Sequence, residues 1–124
     1  MQVVFSEQAP AAVGPFSQAI KSNGMLYLSG QLPLDPATMK FAADTVNGQS
    51  LQIFKNIDAV LAEAGCDKTK VVKTTVFLSD MANFAEFNGL YAEYFGEHKP
   101  ARSCVEVARL PFDALVEIEL IAEL

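Results

Sequence analysis

The sequence predicts an α+β fold, one mixed β-sheet covered on a single face by two helices. Three observations lead there. Residues 50–64 and 83–95 each repeat apolar side chains at helical spacing along one stripe. Six other segments are short apolar or β-branched runs bounded by Gly, Pro and Asn. The pieces follow one another as β-β-β-α-β-α-β-β, and a helix with one apolar stripe covers only one face of a sheet. A length of 124 residues fits one domain spanning 1–124.

Each element has its local reason. Residues 3–5, Val-Val-Phe, form a short strand candidate. Ala9-Pro10-Ala11-Ala12-Val13-Gly14-Pro15 is a loop by its Pro and Gly content. Residues 16–21 and 25–29 read as two strands joined by Ser22-Asn23-Gly24, since Asn-Gly between apolar runs signals a hairpin. Residues 30–41 carry Pro33 and Pro36 and read as a loop with a short strand at its end. In the first helix Ile53, Ile57, Val60, Leu61 and Ala64 share a face, and Gly65 stands where a C-terminal cap belongs. Residues 71–78 are β-branched and read as a buried strand. Asn83 with Glu86 resembles a capping box for the second helix. Phe84, Phe87, Tyr91, Tyr94 and Phe95 form an aromatic stripe that reads as core, and Gly96 ends the helix. Residues 102–108 and 115–122 then read as two strands of a final hairpin across Leu110-Pro111-Phe112-Asp113.

Composition excludes several functions. There are 9 Lys and Arg against 15 Asp and Glu, a net charge of −6, and no basic stripe, which argues against binding a nucleic-acid backbone. Cys66, Cys104 and the single His98 show no metal-ligand spacing. No GxGxxG or Walker A loop occurs. His98 lies in Gly96-Glu97-His98-Lys99-Pro100 and reads as a solvated helix exit rather than half of a Cys104–His98 pair. With no signal peptide and no membrane-length apolar run, the expected setting is the cytoplasm, with both cysteines free.

The sheet face away from the helices needs a partner. Along the last strand Val116, Ile118, Leu120 and Ala122 point one way, and Leu115, Glu117, Glu119 and Ile121 the other. Some apolar residues would then face solvent unless a second subunit covers them, as a closed ring of two or three copies does. Arg102 begins a strand in an otherwise apolar context. A guanidinium there needs an anion, either Glu106, Glu117 or Glu119, or the carboxylate of a ligand. Ser29-Gly30 reads as a strand exit or as a point of close backbone approach to a small ligand. Cys104 reads as a small core residue, Glu117 and Glu119 as solvated strand positions.

The segments Ala9-Pro10-Ala11-Ala12-Val13-Gly14-Pro15-Phe16-Ser17-Gln18, Leu28-Ser29-Gly30-Gln31-Leu32-Pro33, Pro100-Ala101-Arg102-Ser103-Cys104-Val105-Glu106-Val107 and Val116-Glu117-Ile118-Glu119 resemble the signatures of the RidA (YjgF/YER057c/UK114) family of reactive-intermediate deaminases. The resemblance runs from about residue 6 to residue 124. It implies a chorismate-mutase-like fold and a homotrimer with a central barrel and clefts between subunits. It further implies cofactor-independent, metal-free hydrolysis of 2-iminobutanoate and 2-iminopropanoate, products of pyridoxal-phosphate enzymes, to 2-oxo acids and ammonia. Arg102 matches the arginine that holds the substrate carboxylate, and Glu117 the glutamate that handles the attacking water. Ser29, Gly30, Asn88 and Cys104 match residues lining the cleft. Phe16 stands where deaminase members usually carry tyrosine. It lacks a hydrogen bond of about 0.5–1.5 kcal/mol, which implies an altered substrate preference.

Two other functions compete: a sensor of 2-oxo or amino acids acting through a regulatory protein partner, and a ribonuclease. The acidic charge weighs against the ribonuclease. Pairing Ala108 with Leu115 in the final hairpin sets Arg102 opposite Ile121 and Glu117 opposite Glu106, four residues or about 13 Å apart at ~3.3 Å per residue. One small acid cannot bridge that gap, so either the two residues meet across a subunit boundary or the register differs.

Overall fold

A computed structural model describes residues 1–124. Strands β1 (Gln2–Val4), β2 (Ala19–Ser22) and β3 (Met25–Gln31) are followed by helix α1 (Val46–Ala64) and strand β4 (Val71–Leu78). Helix α2 (Phe84–Phe95) and strands β5 (Ala101–Glu106) and β6 (Val116–Glu123) complete the chain. The expected element order holds. The six strands form one mixed sheet in the order β1-β2-β3-β6-β4-β5.

Local signals acted as their chemistry demands at most boundaries. Asn23 and Gly24 take φ of 52° and 75° in the two-residue turn between Ser22 and Met25, which matches the twist of the flanking strands. Gly65 closes α1 in the left-handed conformation at φ 87°. Helix α1 starts four residues before the expected Ser50, because the Thr45 side chain accepts the Gly48 N–H at 3.1 Å. The Asn83–Glu86 capping box does not form. Asn83 is itself helical (φ −85°, ψ 0°) and makes no side-chain cap, since a 3-10 turn at Met81–Asn83, capped by Asp80, feeds straight into α2. Strand β2 starts only at Ala19, and β3 runs on through Gly30 to Gln31.

The final hairpin does not exist. Strand β5 pairs in parallel with β4, setting Arg102 beside Thr74 and Cys104 beside Val76. Strand β6 inserts antiparallel between β3 and β4. Burial explains the exchange. Val116, Ile118, Leu120 and Ala122 of β6 are all at most 2 % exposed beneath the helices, whereas no residue of β5 is fully buried. The strand whose inner face is wholly apolar takes the centre, and β5, whose inner face carries Arg102 and Glu106, takes the edge.

Both helices cover one face. Ile53, Ile57, Val60 and Leu61 of α1, with Phe87, Tyr91 and Phe95 of α2, share one buried cluster with Leu26, Leu28, Val76, Leu78 and the β6 residues. Phe54 stacks on Tyr94 at 4.3 Å between ring centres, which joins the helices. The opposite face is bare. It presents Tyr27 and Val105 exposed, with Ile20, Phe77 and Ile121 half-buried. No helix is long and apolar enough to cross a membrane.

Gln18 pins the loop before β2. Its Nε2 donates to the carbonyls of Ser6 (3.0 Å) and Pro10 (2.9 Å), and its Oε1 accepts from Ser6 N (2.7 Å). The side chain is buried, so removing it orphans several backbone groups at once. Gln18→Ala is expected to cost about 2–4 kcal/mol, read as a lower urea midpoint with an unchanged slope.

Candidate active site

Arg102 owes its position to the parallel register. Its partner Thr74 is fully buried under α2, so the Arg102 side chain leaves the sheet on the helix face. Phe84, Asn88 and Tyr91 of α2 sit at helical spacing along one stripe and form its cradle. The guanidinium Nη1 donates to Asn88 Oδ1 at 2.7 Å. It also lies 4.7 Å from the Tyr91 ring centre and 5.6 Å from that of Phe84. Thr74 Oγ1 and the Tyr91 hydroxyl share a hydrogen bond of 2.7 Å that locks the ring. Burial pushes the Tyr91 phenol up, opposed by the Thr74 hydrogen bond and the Arg102 charge.

No carboxylate meets Arg102. The one salt bridge in the chain joins Arg109 to Asp113. The internal ion pair considered for Arg102 is therefore absent: Glu106 turns instead to the Met81 N–H (2.7 Å), and Glu117 and Glu119 leave β6 on the other face. A held, half-buried guanidinium with a single neutral acceptor retains most of its donors for an outside anion. Cys104, two residues along the same face of β5, packs against the core as a small residue does. Burial pushes its thiol up and the Arg102 charge offsets part of this.

Glu117 sits on the bare face. It pairs with Phe77 on β4 and lies over Gly30, where the β3–β6 register slips between Leu28 and Gln31. It is half-buried rather than solvated. Desolvation first, and the neighbouring Glu119 second, raise its carboxyl above the ordinary glutamate value. No cation pairs with it. Ser29 donates to the Ser17 carbonyl at 2.7 Å, which ties β3 to the loop carrying Phe16. Phe16, half exposed, and Gly30 border one small cavity.

The expected site residues thus fall into two groups. Arg102, Asn88 and Cys104 stand on the helix face at the sheet edge. Glu117, Gly30, Ser29 and Phe16 stand toward the opposite face. Three residues along the strands and two strands across separate Arg102 from Glu117, about 14 Å at ~3.3 Å per residue and ~4.8 Å per strand. The four-residue hairpin offset is replaced by this separation, and the side chains point apart as well.

His98 is not solvated. It is half-buried, with Nε2 2.6 Å from the Val71 carbonyl and its ring edge against Phe95. Sequence reasoning also missed that the aromatic stripe of α2 does two tasks. Phe87 and Phe95 fill the core, while Phe84 and Tyr91 also flank the guanidinium. The signal available was their i, i+4, i+7 spacing with Asn88. No three His, Cys, Asp or Glu side chains converge within metal-ligating reach.

Gly30 is where a close approach requires glycine. A methyl group there would run into the Glu117 carboxylate. Gly30→Ala is expected to swing that flexible carboxylate aside, with at least about a tenfold loss of any activity that uses Glu117 and little change in the urea midpoint.

The six-stranded mixed sheet and helix pair define a class of small α+β proteins, here with a guanidinium that no carboxylate of its own chain meets. Comparison with known proteins supplies the family. The family model described as Endoribonuclease L-PSP matches residues 6–124. Reactive Intermediate Deaminase A, chloroplastic, of Arabidopsis thaliana is 50% identical over 123 residues, covering 99% of this chain and 66% of that protein. The crystal structure of YyfA of the conserved Rid protein family from Yersinia pestis is 49% identical with a TM-score of 0.97, covering 99% and 98% of the two chains. That of Escherichia coli TdcF with bound serine is 38% identical with a TM-score of 0.94, covering 100% and 99%. The chain belongs to this L-PSP family, the RidA family of the sequence resemblance.

Proposed function

We propose that this protein hydrolyses 2-imino acids such as 2-iminobutanoate and 2-iminopropanoate to 2-oxo acids and ammonia, without metal or cofactor. The observation that carries the reading is a complementary deficit. Arg102 lacks an anion, Glu117 lacks a cation, and the two lie on opposite faces of one sheet. A second copy that brings its bare face to the β5 edge of the first sets one chain's Glu117 beside the other's Arg102. The reading therefore includes a homotrimer of chorismate-mutase-like subunits with clefts between them, its bare faces lining a central barrel. The exposed Tyr27 and Val105 support such cover, while the serine bound to the relative TdcF, a small carboxylate with an α-nitrogen, supports the ligand class.

The reaction balances with one water. The Arg102 fork holds the substrate carboxylate and fixes the imine carbon. Glu117 as carboxylate takes a proton from water while the oxygen adds to that carbon, giving a carbinolamine. That proton passes to the imine nitrogen to complete the carbinolamine, Glu117 then carries the hydroxyl proton to the same nitrogen, and the C–N bond breaks with its electron pair leaving on nitrogen as the oxygen becomes the carbonyl. The products are one 2-oxo acid and one ammonia. A raised Glu117 carboxyl suits both halves, since it accepts and returns a proton near neutrality more readily than an ordinary glutamate. Phe16 supplies ring contact but no hydroxyl, so orientation rests more heavily on Arg102.

Coupling threonine dehydratase to this protein and following imine decay with oxo-acid appearance tests the reading. Unaltered decay at saturating protein refutes it. Cleavage of RNA by the pure protein, abolished in Arg102→Ala, would support the ribonuclease reading instead.

A further inference from the structure

The Arg102 guanidinium also borders an open cleft of about 390 Å³ between the second half of α2 and residues 96–100. Its wall includes Asn88, Tyr91, Phe95, His98, Lys99 and Arg102. Two of the chain's nine permanent cations line it and none of its fifteen Asp and Glu residues does. In a protein of net charge −6 this inverts the overall balance. Lys99 makes one hydrogen bond, from Nζ to the Gly96 carbonyl at 3.3 Å, and no ion pair. The wall is held in place. A carbonyl only accepts, so His98 Nε2 donates to Val71 O and fastens the loop to β4. Pro100 stiffens the link between Lys99 and the strand that carries Arg102.

Two unneutralised cations facing one cleft repel each other unless an anion joins them. A monocarboxylate on Arg102 leaves Lys99 unmatched, whereas a ligand with an anionic group at each end matches both. Lys99 and Arg102 are three residues apart, at most about 10 Å between Cα atoms, and both line the same cleft. We propose that the Lys99 end of this cleft is a subsite for a second carboxylate, so that the preferred ligands are 2-imino and 2-oxo dicarboxylates of about four or five carbons. The inference rests on the carboxylate-binding role of Arg102 and adds the substrate class.

Calorimetric titration with 2-oxobutyrate and 2-oxoglutarate tests it on the full-length protein and on Lys99→Gln and Lys40→Gln. The wild type is expected to bind 2-oxoglutarate about tenfold more tightly than 2-oxobutyrate, and Lys99→Gln to erase that preference. Lys40 is exposed and does not line the cleft, and its replacement is expected to keep the preference. Equal affinity for the two acids, a preference that survives Lys99→Gln, or an equal loss in Lys40→Gln overturns the subsite. Failure of both acids to bind overturns it too. The dehydratase-coupled assay with 2-iminobutanoate judges the deaminase reading separately: imine hydrolysis without dicarboxylate preference sinks only the subsite, and Lys99-dependent dicarboxylate binding without hydrolysis sinks only the catalysis.

Discussion

Arg102→Ala is expected to lower kcat/KM for 2-iminobutanoate by about 100- to 1000-fold, the loss of two charge-assisted hydrogen bonds at about 1.5–3 kcal/mol each, discounted for exposure. Binding of 2-oxobutyrate should disappear from calorimetric titrations in parallel. Stability should move by less than about 1 kcal/mol, because the side chain spends one hydrogen bond on Asn88 and none on a carboxylate. This combination separates a ligand-gripping guanidinium from a structural one. A structural arginine would lower the urea midpoint along with the rate. Arg102→Lys should recover little, since an ammonium cannot hold a carboxylate through two parallel donors or lie flat on Tyr91.

Glu117→Gln is expected to cut kcat by about 10²–10⁴, the usual worth of a positioned general base, with 2-oxobutyrate affinity changed by no more than about twofold. It should also raise stability at neutral pH. The sign follows from the raised carboxyl. Burial and Glu119 make the folded chain hold the Glu117 proton more tightly than the unfolded chain does. Between the ordinary glutamate value and the raised one, the folded state binds more protons, so stability falls as pH rises through that window. Above it the full cost of the buried charge persists, and below the ordinary value it vanishes. The glutamine variant should therefore gain in urea midpoint at pH 7 and lose that gain under acid conditions. Turnover of the wild type should show an acid limb above the ordinary glutamate range. Normal turnover by Glu117→Gln would assign the proton to another group.

Both effects rest on the proposed shared cleft, of which one chain would supply only halves. The sheet that separates Arg102 from Glu117 is also what keeps them from neutralising each other. Placed on one face, a buried guanidinium and a glutamate would pair and lose their affinity for an outside acid. On opposite faces each keeps an unmet need, which in the proposed assembly a second copy with a substrate between them satisfies.

Consecutive residues determined much of this protein. The α1 stripe, the Asn23-Gly24 turn, the Gly65 cap, the β-branched run of β4 and the alternation of β6 each act within a few positions, so periodicity and propensity sufficed. The anomaly of Arg102 and the family motifs were legible for the same reason. Strand order was not. Neighbouring segments usually pair, yet β5 and β6 part company, because the strands compete for the space beneath the helices and β6, with the wholly apolar inner face, displaces β5 from the centre. That competition involves residues from the whole chain, and only the tertiary structure resolves it. The same outcome set the face on which Arg102 emerges, gave it Tyr91 and Asn88 as neighbours, and buried Glu117 over Gly30. Residue chemistry is local, while its desolvation and its partners arise from distant segments packing together.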